Sequence, residues 1–319
     1  MSESAPARAC NSGRVPSRRI DIVAFLRLGR PLFLVGGFVL YGLGAAIASH
    51  GRAIDVRLYA LGQLVVTAFQ LMTHYANDYF DYEADCANVT PTAWSGGSRV
   101  LVAGDVPRAT ALVAAQVLAA MGIVATLALA LTPGAGPLVV PIAAAMLALS
   151  WEYSAPPLRL CARGVGELVT ALVVTGLVPW LGYYLQARGG GGAGVLIAAI
   201  TPLACLQAAM VIAIDFPDAA GDAATRKQTL VVRLGAARAA RVQVAFVVAA
   251  YVALAIGACT VLPARMALAG AASLPIAAWR CVRIADHRDP SAWERLGFWA
   301  IAVLMTTAMA ELVAAVTLS

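Results

Sequence analysis

The residues of this chain best suited to chemistry are six aspartates that write one pattern twice. Asp78, Asp81 and Asp85 lie in NDYFDYEAD, and Asp215, Asp218 and Asp222 lie in DFPDAAGD. Both runs read D-x-x-D-x-x-x-D, and each aspartate of the second stands 137 positions after its counterpart in the first. On a helix, positions i, i+3 and i+7 share a face, so each run is expected to form a stripe of three carboxylates. Clustered carboxylates beside apolar chain repel one another unless a cation sits between them. Mg²⁺, a hard ion that takes oxygen ligands and commonly arrives with phosphate, fits that role. Asn77, immediately before Asp78, adds a neutral amide oxygen.

Other residue types near the two runs extend the same chemistry. Lys227, the one lysine among 23 basic residues, follows Asp222 by five positions. An ammonium there can hold a diphosphate oxygen as a point charge; as a bland alternative it is a surface charge that sets topology. Arg99 follows Gly96-Gly97-Ser98, where backbone N–H groups and a guanidinium together make an anion cradle, or else an ordinary polar loop. Pro156-Pro157 breaks a helix after SWEYS. Tyr153 then lies near a membrane rim, placed either to face a cationic or aromatic substrate or to serve as an interfacial aromatic with Trp151. His74 sits one turn before Asp78 and either faces the same cavity or makes a helix-packing hydrogen bond. His50 and His287 read as loop residues without a role.

These groups must be positioned by membrane helices. The 319 residues are 61% hydrophobic and 13% charged, against about 25% charged for a soluble domain. The mean hydropathy is +0.79. Nine stretches are long enough to cross a bilayer, near 32–50, 57–77, 109–131, 136–153, 165–187, 194–214, 239–262, 265–281 and 296–317. They are rich in Ala, Leu and Val without alternation, which argues against strands. With the N-terminus in the cytoplasm, 19 of the 23 basic residues fall inside, leaving Arg52, Arg57, Arg188 and Arg265 outside. The positive-inside rule therefore predicts an N-in, C-out topology. The net charge of +6 reflects this distribution rather than a nucleic-acid surface. Both acidic runs then face the cytoplasm, where Mg²⁺ and phosphorylated metabolites are found. Residues 1–30 read as a cytoplasmic tail with a short interfacial helix, and 31–319 as one membrane domain. The six cysteines contain no C-x-x-C pair and read as small apolar residues of a bundle. The glycine-rich run 189–194 reads as an exterior turn.

Four motifs in order resemble the UbiA-type intramembrane prenyltransferase superfamily. They are N-D-x-x-D-x-x-x-D from Asn77 to Asp85, Y-S-x-P-P-x-R-L from Tyr153 to Leu160, D-x-x-x-D at Asp218 and Asp222, and K-x-T-L-x-V-R-L-G from Lys227 to Gly235. The resemblance covers most of the chain. It implies an all-α membrane fold of about nine helices around a central cavity, with both aspartate motifs at a cytoplasmic cap. It also implies that Asn77, Asp78, Asp81, Asp85, Asp215, Asp218 and Asp222 hold Mg²⁺ on the diphosphate of a polyprenyl donor. Lys227, Arg99 and Arg159 would take the remaining charge, and an aromatic acceptor would attack the allylic cation. Among branches, NDYFDYEAD, GGSRVL and RGVGE are most similar to the dihydroxynaphthoate polyprenyltransferases of menaquinone synthesis. Ile214-Asp215-Phe216-Pro217 departs from the asparagine-rich lead-in of many relatives, which leaves the role of Asp215 open. Acceptor, prenyl chain length and oligomeric state also stay open, as does acceptor-free terpene cyclisation on the same fold. The resemblance places the chain as a multi-pass protein of the inner (plasma) membrane.

A cation transporter is the competing class, because paired intramembrane carboxylates mark ion pathways as well. It predicts acids near the bilayer midplane on broken helices. The two runs here stand at the ends of apolar stretches, beside basic loops suited to phosphate.

Overall fold

Each long apolar stretch became helix for a simple reason: in lipid, backbone groups must be satisfied within the segment. A computed structural model of the chain describes residues 21–49, 51–187 and 192–317, and among them there is helix and no strand. A short helix α1 (Ile22–Leu28) is capped by the Asp21 carboxylate, which accepts from Val23 N–H. It leads into α2 (Pro31–Ser49) and α3 (Val56–Phe80), the latter capped by Asp55 on Leu58 N–H. Two short helices, α4 (Tyr82–Ala87) and α5 (Val100–Ala103), precede α6 (Arg108–Ala130) and α7 (Val139–Ser154). Helix α8 (Gly166–Ala187) passes through wide π-type turns at Ala171–Leu177. Next come α9 (Ala193–Asp215), short α10 (Ala219–Ala224) and α11 (Leu230–Leu234), and long α12 (Ala236–Thr260). The stretch expected to cross at 265–281 is instead α13 (Ala264–Gly270) and α14 (Leu274–Val282), separated by a 3-10 turn at Ala271–Ser273. Helix α15 (Trp293–Val316) completes the bundle.

Six of these helices are long and apolar enough to cross a membrane: α2, α6, α8, α9, α12 and α15, the last counted from Pro290. Helix α3 fails that measure because it carries Gln63, Gln70, His74, Asn77 and Asp78 on its way to the first aspartate run. Helix α7 is apolar but short.

The helices close a ring. Helix α2 packs on α3, α3 on α6 and α7, α7 on α8, α8 on α9, and α9 on α12 and α15. Helix α12 meets α13, α13 meets α15, and α15 returns to α2. The α2–α8 contact needs glycine: a Cβ on Gly44 would sit 1.8 Å from the Pro179 carbonyl oxygen, and one on Gly182 would sit 2.3 Å from that of Tyr41. Large apolar residues stay exposed on the outer faces, such as Val113, Val117 and Val124 of α6 and Val248, Val252 and Ile256 of α12. Lipid is the natural solvent for such faces.

The connections sort to two ends of the bundle. At one end Arg30 reaches Asp78, Arg108 Nη1 lies 2.6 Å from Glu83 Oε1, Ala93 N–H donates to Glu294, and Gln228 N–H donates to the Ala162 carbonyl. At the other end Asp55 N–H donates to Gln186, Leu138 N–H to the Tyr184 hydroxyl, and Arg265 to the Thr317 carbonyl. The loops predicted to be cytoplasmic therefore share one end, and those predicted to be exterior share the other. Residues 1–20, 188–191 and 318–319 lie outside the described residues, as does His50; Arg188 and half of the glycine-rich run are among them.

Candidate metal and diphosphate site

Neither aspartate run forms the single helical stripe expected from its spacing. Helix α3 ends at Phe80, Asp81 caps it, and α4 restarts at Tyr82, so Asp78 and Asp85 belong to different helices. In the second run α9 ends at Asp215, Pro217 occupies the turn, and Asp218 precedes α10, which carries Asp222. Proline cannot supply the N–H that would continue the helix, which accounts for the second break. Each run is thus a long helix, a corner and a short helix. All six aspartates lie at helix ends or in these end helices, away from the middle of the long helices, in contrast to the arrangement expected of a transporter.

The two short helices touch. Helix α10 packs on α4 through Gly221, where a Cβ would lie 2.8 Å from the Ala84 carbonyl oxygen and 2.9 Å from Asn88 N. Ala84 and Gly221 occupy the same position in the two runs. Equivalent residues meeting each other is the contact pattern of a local twofold.

Lys227 joins the two runs. Its Nζ lies 2.9 Å from Asp81 Oδ2 and 3.3 Å from Asp222 Oδ1. Backbone places it there: Lys227 N–H donates to the Asp222 carbonyl at 2.8 Å. Burial would lower the pKa of the ammonium, but Asp81, with Cys161 and Asp222, outweighs that and holds it well above the ordinary lysine value. Burial pushes Asp222 up to about 6, against the pull of Lys227. Burial also raises Asp218, and raises Asp85 well above the usual carboxylate range with the fields of Asp78 and Asp81 added. These carboxylates are held close together at a cost that a cation would relieve.

A strap of chain from Asn88 to Arg99 ties the runs together from above. Asn88 Nδ2 donates to Asp218 Oδ1 at 2.7 Å, and Gly96 N–H donates to Asp218 Oδ2 at 3.1 Å. Thr90 donates to the Pro217 carbonyl. Ser98 donates to Asp78 from both its N–H and its hydroxyl. Arg99 Nη1 donates to the Asp85 carbonyl. The N–H groups expected to cradle an anion at 96–98 are therefore spent, at Gly96 and Ser98, on the protein's own carboxylates. Gly97 has φ of +72°, and a Cβ there would meet Asp85 Oδ2 at 2.1 Å.

Of the remaining expected residues, Asn77 is bonded directly to this core. Asn77 donates to Asp81 Oδ2 and Ser154 Oγ, while its amide oxygen accepts from Arg30. The Tyr153 ring lies against Gly166, at the α7–α8 corner. Arg159 has a left-handed backbone, and its Nε is buried without a partner. His74 Nε2 is likewise buried without a partner, beside the Phe33 ring at 6.1 Å. Asp215 ends α9, within the fields of Glu167, Asp222, Lys227 and Asp218. His287, read from the sequence as a loop residue, is buried against Phe216 at 5.7 Å.

Two contributors, Arg30 and Asn88, have no place in the site as read from the sequence, and Ser98 has a different one. By composition Arg30 is one more basic residue of the tail, yet its Nη2 lies 2.5 Å from Asp78 Oδ1. Asn88 pins Asp218 from a position that no spacing rule singles out, and Ser98, expected to face an anion from outside, pins Asp78 instead.

Among the described residues no three His, Cys, Asp or Glu side chains converge as a finished metal site. The donor set nevertheless suits a hard divalent ion. Asp81 Oδ1 and Asp222 Oδ2 are buried with no hydrogen-bond partner, on carboxylates whose other oxygens share Lys227. An unpartnered buried carboxylate oxygen is costly and calls for a cation.

The UbiA prenyltransferase family model matches residues 37–302. A 1,4-dihydroxy-2-naphthoate octaprenyltransferase of Mycobacterium leprae (strain TN) is 31% identical over 212 residues, which cover 66% of this chain and 68% of the relative. The protein of the same name from Mycobacterium tuberculosis (strain ATCC 25618 / H37Rv) is 34% identical over 203 residues, covering 63% and 65%. The matched stretch thus spans about two thirds of either relative. A solved UbiA homolog from Archaeoglobus fulgidus, bound to GPP and Mg²⁺, superposes with a TM-score of 0.60 at 14% identity, covering 90% of this chain and 99% of that one. A structure reported for digeranylgeranylglyceryl phosphate synthase superposes with a TM-score of 0.58 at 18% identity, covering 93% and 99%. At these identities the two structures establish a shared fold and nothing further.

Proposed function

Because the chain belongs to the UbiA prenyltransferase family, we propose that it transfers a polyprenyl group from a prenyl diphosphate to an aromatic acceptor, 1,4-dihydroxy-2-naphthoate, in menaquinone synthesis. The observation that carries this reading is Lys227 lodged between Asp81 of one motif and Asp222 of the other. Facing carboxylates with a cation between them are suited to hold metal ions and a diphosphate. The acceptor follows the names of the two mycobacterial relatives and the likeness of the NDYFDYEAD, GGSRVL and RGVGE stretches.

Asp78, Asp81 and Asp85 would hold Mg²⁺ from one side, with Asp218 and Asp222 from the other and Asn77 and Asp215 beside them. When bound, Mg²⁺ neutralises the diphosphate and makes it a better leaving group. Lys227, Arg99 and Arg159 supply further positive charge where negative charge develops as the allylic C–O bond breaks. Tyr153, at the corner below, presents a ring to the allylic cation. The apolar helices keep water from quenching that cation and accept the prenyl tail. We place the site on the cytoplasmic side of the plasma membrane, with about nine crossings around a central cavity, N-terminus in and C-terminus out.

The test is incubation of the purified protein with Mg²⁺, prenyl diphosphates of several lengths and a panel of aromatic acids that includes dihydroxynaphthoate, read by mass spectrometry. Prenylated dihydroxynaphthoate is the expected product. Product on another acid reassigns the acceptor, and a cyclised hydrocarbon without acceptor makes the protein a cyclase. Full turnover in excess chelator would overturn the metal assignment.

A further inference from the structure

Arg30 makes the shortest ion pair at the site and belongs to none of the four motifs. Its guanidinium lies 2.5 Å from Asp78 Oδ1 and 3.3 Å from Asn77 Oδ1. Asp78 is 2% exposed, and its other oxygen accepts from the Ser98 N–H and hydroxyl. Asp78 is therefore saturated by the protein itself. Asp81 and Asp222 differ, since each keeps one buried oxygen with no partner. These two can accept a divalent ion as they stand, whereas Asp78 can do so only after Arg30 has left.

The backbone under Arg30 is fixed. Its φ is +46°, its N–H donates to the Arg27 carbonyl, its carbonyl accepts from Phe33 N–H, and Pro31 follows. A side chain that gives up Asp78 must then swing from a stationary Cα. The fields of Asp85 and Asp218 keep a displaced guanidinium within the site. A planar fork of N–H donors matches phosphate oxygens, and a diphosphate entering the site brings them within its reach.

We propose that Arg30 is the counter-ion of Asp78 in the metal-free protein and becomes a ligand of the donor's diphosphate when a divalent cation takes Asp78. The inference rests on the reading of the site as a metal–diphosphate centre. It makes Arg30 and the metal competitors for Asp78, and makes Arg30 and the metal partners toward diphosphate. Removing the guanidinium should then move two affinities in opposite directions.

The experiment uses the full chain in detergent and measures Mn²⁺ binding by the loss of the free-ion electron paramagnetic resonance signal, without donor. Retention of radiolabelled inorganic pyrophosphate is then measured at saturating Mn²⁺. In Arg30→Gln, Mn²⁺ alone should bind several-fold more tightly and pyrophosphate about tenfold more weakly, the loss of one charge-assisted contact. Arg30→Lys keeps a competing charge without the fork, so Mn²⁺ affinity should stay near wild type while pyrophosphate weakens; this variant decides the matter if Arg30→Gln does not fold. Unchanged or weakened Mn²⁺ binding in Arg30→Gln, or unchanged pyrophosphate binding in both variants, would overturn the exchange while the metal centre stands. Wild-type protein that binds no Mn²⁺ would overturn both.

Discussion

Four non-glycine residues among those described have left-handed backbone, and all four are arginines: Arg30, Arg99, Arg159 and Arg226. That conformation costs an ordinary residue about 1–2 kcal/mol, and strain of this kind gathers at functional sites. Arg30 and Arg99 contact the first aspartate run directly, and Arg226 precedes Lys227. Single-residue replacements should separate the carboxylates into two kinds. Asp78→Ala, Asp81→Ala, Asp218→Ala and Asp222→Ala should each lower turnover by orders of magnitude. In chelator, Asp78→Ala should also lower the melting temperature, because it strands the Arg30 guanidinium at a cost on the order of 3 kcal/mol. Asp85→Asn should leave the melting temperature unchanged or raise it, since it removes a charge that Asp78 and Asp81 repel. Equal destabilisation by both would show that pairing does not distinguish them. Lys227→Ala leaves Asp81 and Asp222 facing each other unshielded, so its melting temperature should fall in chelator and recover with Mg²⁺. A contact of this type contributes roughly tenfold to hundredfold in donor binding or rate, with Lys227→Arg partly active. If Lys227 only sets topology, Arg226, Arg233, Arg238 and Arg241 hold the loop inside without it, and donor kinetics of Lys227→Ala will match wild type. The aspartates and Lys227 were legible because polar residues are scarce in so apolar a chain. Arg30 was not, since by composition it looked like any other topogenic arginine.

At the scale of elements, the departure from expectation lies in the two corners. A seven-residue carboxylate spacing reads as one helix face, and the break at Asp81 has no proline or glycine to announce it. The break after Asp215 was foreshadowed by Pro217. What the corners achieve is to turn α4 and α10 toward each other, and the Asn88–Arg99 strap then fixes both. Its hydrogen bonds join residues as far apart as Asn88 and Asp218, a separation that no local pattern carries. Gly97 is the position where the strap tolerates least. Gly97→Ala places a methyl on Asp85 and forces an L-residue into positive φ. The backbone term alone is about 1 kcal/mol. The strap should shift and turnover should fall by roughly tenfold or more, the penalty for small misplacement of positioned groups. Circular dichroism should stay that of wild type, because the membrane helices do not depend on the strap. Wild-type turnover in Gly97→Ala would show that the strap is not needed to set the carboxylates.

For the molecule as a whole, hydropathy located every long helix, since each must hide its backbone from lipid over a length set by the bilayer. Function and packing interrupt apolarity in two places. Helix α3 sacrifices hydropathy to carry polar residues to the site, and the α13–α14 break places buried Ser273 where its hydroxyl meets Tyr251 and Thr307. Charge located the ends. Arg30, Arg108 and Arg233 lie at the aspartate end, with Arg265 at the other, joined to Thr317. Because the described chain starts at one end and stops at the other, it crosses the bundle an odd number of times. The positive-inside rule then predicts the orientation proposed above, with the arginine-rich end and its aspartates in the cytoplasm. Single cysteines in a cysteine-free background test this. Arg265→Cys should react with a membrane-impermeant maleimide in intact cells. Arg233→Cys should react only after the membrane is opened. The reverse pattern would put the aspartates outside, away from cytoplasmic Mg²⁺ and prenyl diphosphates. A site facing that way could not be supplied with donor, so the labelling tests the proposed reaction along with the topology.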